Sequence, residues 1–305
     1  MLLPHRPRSF ALRTAALAVT LGVLAGCGSD DTDPVASDPQ PTAAEPTTPT
    51  EPTDTEPSEP TTSEAPDTVA APIYFVGDSP TGPRLYREFR QVEADNPLEE
   101  GAALLVAGDA LDPDYSSLLP ALDIVSIEAT SGALVVTLAG DAPTADKSMS
   151  ASDAALAVQS LVYTLQGIAQ TRDPLTVEVD GQPVQLLGQP TDTGVSATAP
   201  LEVLSLVNVT EPATDAAVSG TLVASGVASS FEATVLWEIR DSSGAVALDG
   251  FATASGFMDN VYPWETEIDL SSLASGDYTF AALTADPSDG EGPGPYVDTK
   301  TIVVP

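Results

Sequence analysis

The 305-residue chain has one histidine and one cysteine, and both lie within its first 27 residues. Past Cys27 there is no imidazole and no thiol. Downstream of it this excludes Ser-His-Asp and Cys-His catalytic sets, zinc sites built on His or Cys, and any disulfide. Positive charge is nearly as scarce. All 45 acidic residues but only seven of the ten basic ones lie beyond residue 26, a balance of −38 there. Such a chain is repelled by nucleic acid and by anionic lipid or wall polymer unless a local basic patch or a cation intervenes. A nucleic-acid partner is not expected, and no motif implies a cofactor.

The apolar run at residues 14–24 is too short to span a bilayer, which takes about 20 residues. It follows a basic start (His5, Arg6, Arg8, Arg13) and ends in Leu24-Ala25-Gly26-Cys27. This is a processing pattern rather than a folding one. It resembles the bacterial lipobox, in which the cysteine thiol takes a diacylglyceryl group and the signal peptidase cuts just before it. Residues 1–26 are therefore expected to be a signal peptide, with Leu24, Ala25 and Gly26 as the peptidase recognition residues. Cys27 is expected to carry the lipid. Each buried acyl methylene contributes about 0.8 kcal/mol, and lasting attachment takes more than one chain, which diacylation supplies. The expected place is the outer face of the cell membrane, with the bilayer as one partner and envelope proteins as others.

From residue 28 to 71 there is no aromatic residue, no lysine and no arginine, and Pro, Thr, Ser, Asp and Glu dominate with a few small apolar residues. Stretches such as Pro49-Thr50-Glu51-Pro52-Thr53 cannot bury enough apolar surface to offset ordering, so 27–72 reads as a disordered linker. As polyproline II the 44 residues from 28 to 71 reach at most roughly 140 Å, enough to lift a folded body from the membrane.

Residues 73–305 are enough for two domains. The first, 73–190, reads as a small α/β layer with the order β-β-α-β-β-α-β-β. Strands at 73–76 and 85–92 form a hairpin. Asn96-Pro97-Leu98-Glu99 predicts a helix with a capping box, with Leu98, Ala102 and Leu105 inward, and Gly108 ends it. Two strands follow at 124–129 and 133–138. Ser150 caps a second helix whose apolar stripe is Ala154, Ala155, Val158, Leu161, Val162, Leu165 and Ile168. A closing hairpin turns at Asp180-Gly181. The second domain, 200–305, is nearly all strand: seven are expected, at 201–207, 218–225, 231–240, 245–254, 262–270, 278–285 and 297–304. Alternation along 231–240 and 262–270 gives each strand one buried face, and seven short strands fit an immunoglobulin-like sandwich. With no disulfide, its core is expected to rest on Trp237, Phe231 and Tyr278.

The two halves resemble, in order, the GerMN domain and the immunoglobulin-like domain that follows it in bacterial sporulation and spore-germination proteins. The first resemblance is carried by Ile73-Tyr74-Phe75-Val76, Arg84-Leu85-Tyr86-Arg87-Glu88, Ser160-Leu161-Val162-Tyr163-Thr164-Leu165 and Val179-Asp180-Gly181-Gln182-Pro183. The second is carried by Gly226-Val227-Ala228-Ser229-Ser230-Phe231 and Ser288-Asp289-Gly290. Where the family often has Gly-Pro after its first helix, this chain has Gly108-Asp109. The resemblance implies a membrane-anchored envelope protein without catalytic residues that acts through protein contacts in sporulation, germination or envelope signalling.

Two clusters stand out. Arg84, Arg87 and Arg90 are three of the five arginines beyond Cys27, and on a strand Arg87 points opposite to the other two. They form either a docking island for an acidic partner or wall carboxylate, or a strand face balanced by Glu88 and Glu93. Asp286, Asp289 and Glu291 sit in a Gly/Pro-rich loop. They are weak calcium candidates, since the loop lacks EF-hand spacing, and the other reading is a solvated acidic turn. Lys147-Ser148 is considered as a hydrolase pair, but it lies in a polar loop with no oxyanion motif. Glycoside cleavage would need a partly buried acid beside aromatic platforms, and Trp237 and Trp264 fall on apolar strand faces instead.

Overall fold

The computed structural model describes residues 67–286, 288 and 290–305. The expected signal peptide, Cys27, the linker up to residue 66, and Asp289 lie outside the described residues. No helix among those described is long and apolar enough to cross a membrane.

The first half is built on β1 (Thr68–Gly77), in which Ala71, Ile73 and Phe75 alternate inward. It pairs antiparallel with β2 (Arg84–Glu93). Then come α1 (Pro97–Ala107), the two-residue β3 (Tyr115–Ser116), β4 (Ile124–Thr130) and β5 (Ala133–Leu138). The chain continues through α2 (Ala151–Ala169), β6 (Leu175–Val179) and β7 (Gln182–Pro183). Two small sheets result, ordered β2-β1-β3 and β4-β5-β6-β7. The β5–β6 pair is parallel, joined through α2. Ile73, Phe75, Leu105, Leu134, Leu161, Leu165 and Leu175 are fully buried in the core between the layers.

Both helix starts obey local chemistry, but only one in the way the sequence suggests. Ser150 Oγ accepts from the Asp153 N–H at 3.0 Å, an N-cap bond of the expected kind. The capping box at Asn96 does not form: Asn96 makes no side-chain cap bond. Glu99 instead accepts from the Ile127 N–H at 2.9 Å, tying α1 to β4. Gly101 sits where α1 meets α2, and a Cβ there would lie 2.4 Å from Ile168 Cδ1. Gly108 closes α1 in the left-handed conformation, φ 67°, which costs glycine nothing.

Helix α2 is buried on more than the predicted stripe. Gln159, Ser160, Thr164 and Gln166 are buried as well. Gln159 donates to Ser196 O at 3.0 Å and accepts from the Thr198 N–H at 2.8 Å. Tyr163 donates to Thr198 O, and Thr164 Oγ1 accepts from the Tyr74 N–H at 3.0 Å. The second polar face of α2 thus holds down β1 and the connector leading out of the first half.

In the second half a helical turn, α3 (Pro200–Val203), precedes β8 (Val207–Glu211), β9 (Ala216–Ala217) and β10 (Thr221–Ala228). A single 3-10 turn at Phe231–Ala233 leads into β11 (Thr234–Arg240), β12 (Val246–Thr253), β13 (Tyr262–Asp269), β14 (Gly276–Thr284) and β15 (Val297–Val304). A three-stranded sheet, β13-β10-β8, faces a five-stranded one, β12-β11-β14-β15-β9, with Val235, Ile239, Trp264, Phe280 and Ile302 between them. Two expectations are corrected. Residues 201–207 are not a strand, because Pro200 starts a helical turn and pairing begins at Val207. Phe231 is not core. Glu232 and Ala233 take left-handed backbone (φ 53° and 58°), which breaks the alternation and leaves Phe231 51% exposed.

Candidate functional site

The two halves meet along a buried seam whose apolar part is Val76, Leu85, Leu156, Tyr163 and Leu204. The backbone crosses it too: Ser205 N–H donates to Leu85 O at 2.9 Å. Beside this lies a polar knot. Lys300 Nζ donates to Asp112 and, at 2.7 Å, to the Tyr115 hydroxyl, and stands 3.4 Å from Asp298 Oδ1. The Tyr115 hydroxyl donates to Asp298 Oδ1 at 2.7 Å. Asp298 Oδ2 accepts from Asn208 Nδ2 at 3.0 Å and from the Val209 N–H at 2.6 Å. Tyr115 and Asp112 belong to the first half, the others to the second. Thr299 adds a bond to Asp114 at 2.9 Å and Thr81 one to the Tyr296 hydroxyl at 2.5 Å.

Burial governs the electrostatics here. It raises the Asp298 carboxyl above its ordinary value despite Lys300 and the bonds from Tyr115 and Val209. Burial, reinforced by Asp298 and Asp112, also holds Tyr115 well above the usual tyrosine value. Tyr86, stacked on Tyr115 at 5.0 Å, is pushed up to about 12, again mainly by burial. The Lys300 ammonium attracts both carboxyls, which repel each other, so the buried cluster holds only while every partner is present.

Adjoining the knot is an interdomain cleft of about 750 Å³, within the usual size range of ligand pockets. Its walls come from β1 and β2, the C-terminal part of α2, the connector around Thr198, and Leu204, Ser205, Asn208, Val227, Asn260 and Val261 of the second half. The lining includes Arg87 and Arg172 and contains neither aspartate nor glutamate. Among the described residues, neither arginine has a carboxylate within ion-pair distance. Arg87 Nη2 donates to Thr210 Oγ1 at 3.1 Å, and its guanidinium lies 4.7 Å from the centre of the half-exposed Phe89 ring. Its Nε has no partner, nor have Gln166 Oε1 and Asn208 Oδ1, although Gln166 and Asn208 are 1% and 3% exposed. A buried polar group without a partner costs about 1–3 kcal/mol, so three on the residues of one cleft are unusual. Tyr74 and Tyr163 pair on the same wall, ring centres 5.2 Å apart, and burial lifts Tyr163 to about 12.

The structure disperses the arginine island. Arg84 donates to Leu201 O at 2.9 Å and Thr81 Oγ1 at 3.3 Å. Arg90 bonds to Asp109 and lies 3.9 Å from Glu88. Arg87 alone of the three lines the cleft, so the three do not form one patch. In the acidic loop Asp286 Oδ1 accepts from Ser288 N–H and Oγ, which hold its carboxyl below the usual range. Glu291 is exposed, and no cluster of three metal-binding side chains occurs among the described residues. Trp264 is buried in the sandwich core, and Trp237 packs over Gly250, where a Cβ would lie 2.4 Å from its ring. Neither tryptophan faces the cleft.

Sequence reasoning missed the knot and the cleft. One signal was present: Asp298 and Lys300 are two apart on one strand, hence on one face. Nothing local marked that face as buried.

Two family models match the chain. Residues 72–185 match one described as "Sporulation and spore germination", and residues 206–291 match the "Immunoglobulin-like domain of bacterial spore germination". No curated protein matches. Among solved structures, the tandem GerMN domains of the Bacillus subtilis sporulation protein GerM align with 14% identity and a TM-score of 0.34. That alignment covers 68% of this chain and 63% of GerM's. A Clostridium perfringens chain described as a lipoprotein aligns at 19% identity and a TM-score of 0.26, over 40% of this chain and 80% of its own.

Proposed function

We propose a role for this chain on the premise that it carries, in order, a GerMN domain of the sporulation and spore germination type and the immunoglobulin-like domain of bacterial spore germination. It is a lipid-anchored envelope protein that acts without catalysis, as an interaction module or scaffold for other envelope proteins. The observation that carries the reading is the seam. Two domains whose family descriptions both name spore germination are joined by a buried ionic knot into one body suited to presenting a composite surface. The pattern Leu24-Ala25-Gly26-Cys27 supports anchoring through Cys27. The absence of histidine and cysteine downstream of it supports a non-catalytic role.

Cross-linking in intact cells, followed by recovery of the tagged full chain from membranes, tests this. Specific recovery of a membrane or secretion protein is expected, together with palmitate labelling that is lost in Cys27→Ser. A C27S chain that still sediments with vesicles would overturn the anchor, and peptidoglycan turnover by the purified chain would overturn the non-catalytic reading. A second reading, a wall-ligand or polysaccharide-binding protein, is favoured by the cleft alone; retention on purified wall material would support it.

A further inference from the structure

We propose that the interdomain cleft is a binding site for the carboxylate end of a short peptide, with Arg87 as the anion-binding group. The proposal goes beyond the scaffold reading and does not need the anchor. It starts from charge. In a chain with 45 acids and ten bases, this cleft is lined by two arginines and by no aspartate or glutamate, a lining that favours an anion over a cation. Arg87 is set for that task. One donor goes to Thr210 Oγ1, Phe89 supports the guanidinium from one face, and no carboxylate neutralises it. A planar guanidinium held this way matches a carboxylate by paired N–H donors. Arg172 at the rim adds a second positive charge.

The rest of the lining selects the body that carries the anion. Pro72, Leu204, Val227 and Val261 offer small apolar surface, while Gln166 and Asn208 bring carboxamides whose oxygens lack a donor. Alternating amide N–H groups and small side chains ending in a carboxylate, which is a peptide C-terminus, meet both demands. A bare phosphate has no use for the apolar wall. Because residues of both halves line the cleft, a bound peptide touches both, and binding stabilises the seam by linkage.

The test uses the full chain in detergent, titrated with acetyl-trialanine as the free acid and, separately, as its C-terminal amide, followed by calorimetry or ligand-observed NMR. The acid is expected to bind at micromolar to millimolar concentration, at least about tenfold tighter than the amide, and more weakly as salt rises. Arg87→Gln should lose about tenfold in acid affinity and leave the weak amide affinity unchanged. Thr210→Val, which removes the bond that holds Arg87 but keeps its charge, should weaken the acid less than R87Q does. If R87Q proves unstable, Arg172→Gln, at an exposed position, should still weaken the acid selectively. Equal affinity for acid and amide, no binding of the acid, or displacement of the acid by equimolar inorganic phosphate would each overturn the proposal. None of these outcomes bears on palmitate labelling or on recovery of membrane partners.

Discussion

Lys300 and Asp298 lie two positions apart on β15 and point to one side of it, yet their partners Asp112, Tyr115 and Asn208 come from far along the chain. A buried charge is tolerable only while it is paired. Replacing Lys300 with methionine keeps much of the volume but leaves two carboxylates facing each other without a cation. K300M is expected to destabilise the chain by about 3–5 kcal/mol, read from the urea midpoint. Adding D112N and D298N to it should recover part of the loss, because the neutral amides remove the unpaired charge. An unchanged midpoint in K300M would mean the knot contributes nothing. At this scale the sequence showed which residue types were scarce, but not that one of only two lysines beyond Cys27 would be buried.

At the scale of elements, the local signals fared unevenly for identifiable reasons. Ser150 caps α2 as expected, its Oγ accepting from the Asp153 N–H at an exposed helix start. Glu99 left its capping box because β4 lies within reach and offers the Ile127 N–H. Alternation located most strands, but it failed at Phe231, where two left-handed residues turn the chain before β11 begins. Gly226 shows what a familiar motif conceals. It sits at a register shift between β10 and β8, and a Cβ there would lie 2.0 Å from Asn208 O and 2.9 Å from the Trp264 ring. The obstacle is backbone, which cannot yield like the end of a side chain. Gly226→Ala is therefore expected to cost about 3 kcal/mol, measured by thermal or urea unfolding. It should also disturb the knot through Asn208. A wild-type melting curve in G226A would contradict this.

For the whole molecule, the seam predicts that the two halves unfold together. The apolar cluster and the knot belong to both, so opening either half exposes the other's buried charges. Calorimetry of the full chain should give one endotherm for the folded body, and two resolved endotherms would show independent domains. Alkali gives a second test. Tyr86 and Tyr163 are raised from 10.0 to about 12, mainly by burial, and burial also raises Tyr115 well above 10.0. The folded state thus keeps phenol protons that the unfolded chain releases above pH 10. This stabilisation is complete below pH 10 and is lost as pH rises through about 12. Urea midpoints should fall across that window while tyrosinate absorbance lags behind that of an unfolded control.

What the sequence alone determined is the inventory and the local pattern. Imidazole and thiol chemistry are excluded past Cys27, the acid excess is set, and the first two helices and most of the longer strands follow from periodicity and turn residues. These are properties of composition and of neighbours along the chain. Only the tertiary structure decided that α2 would be buried on its polar side, that Asp112 and Lys300 would meet, and that Arg87 would line an acid-free cleft while Arg84 and Arg90 were taken up elsewhere. Each of those depends on which surfaces of distant segments come together, and the energy of a charge is set by that burial and those partners, not by its place in the chain.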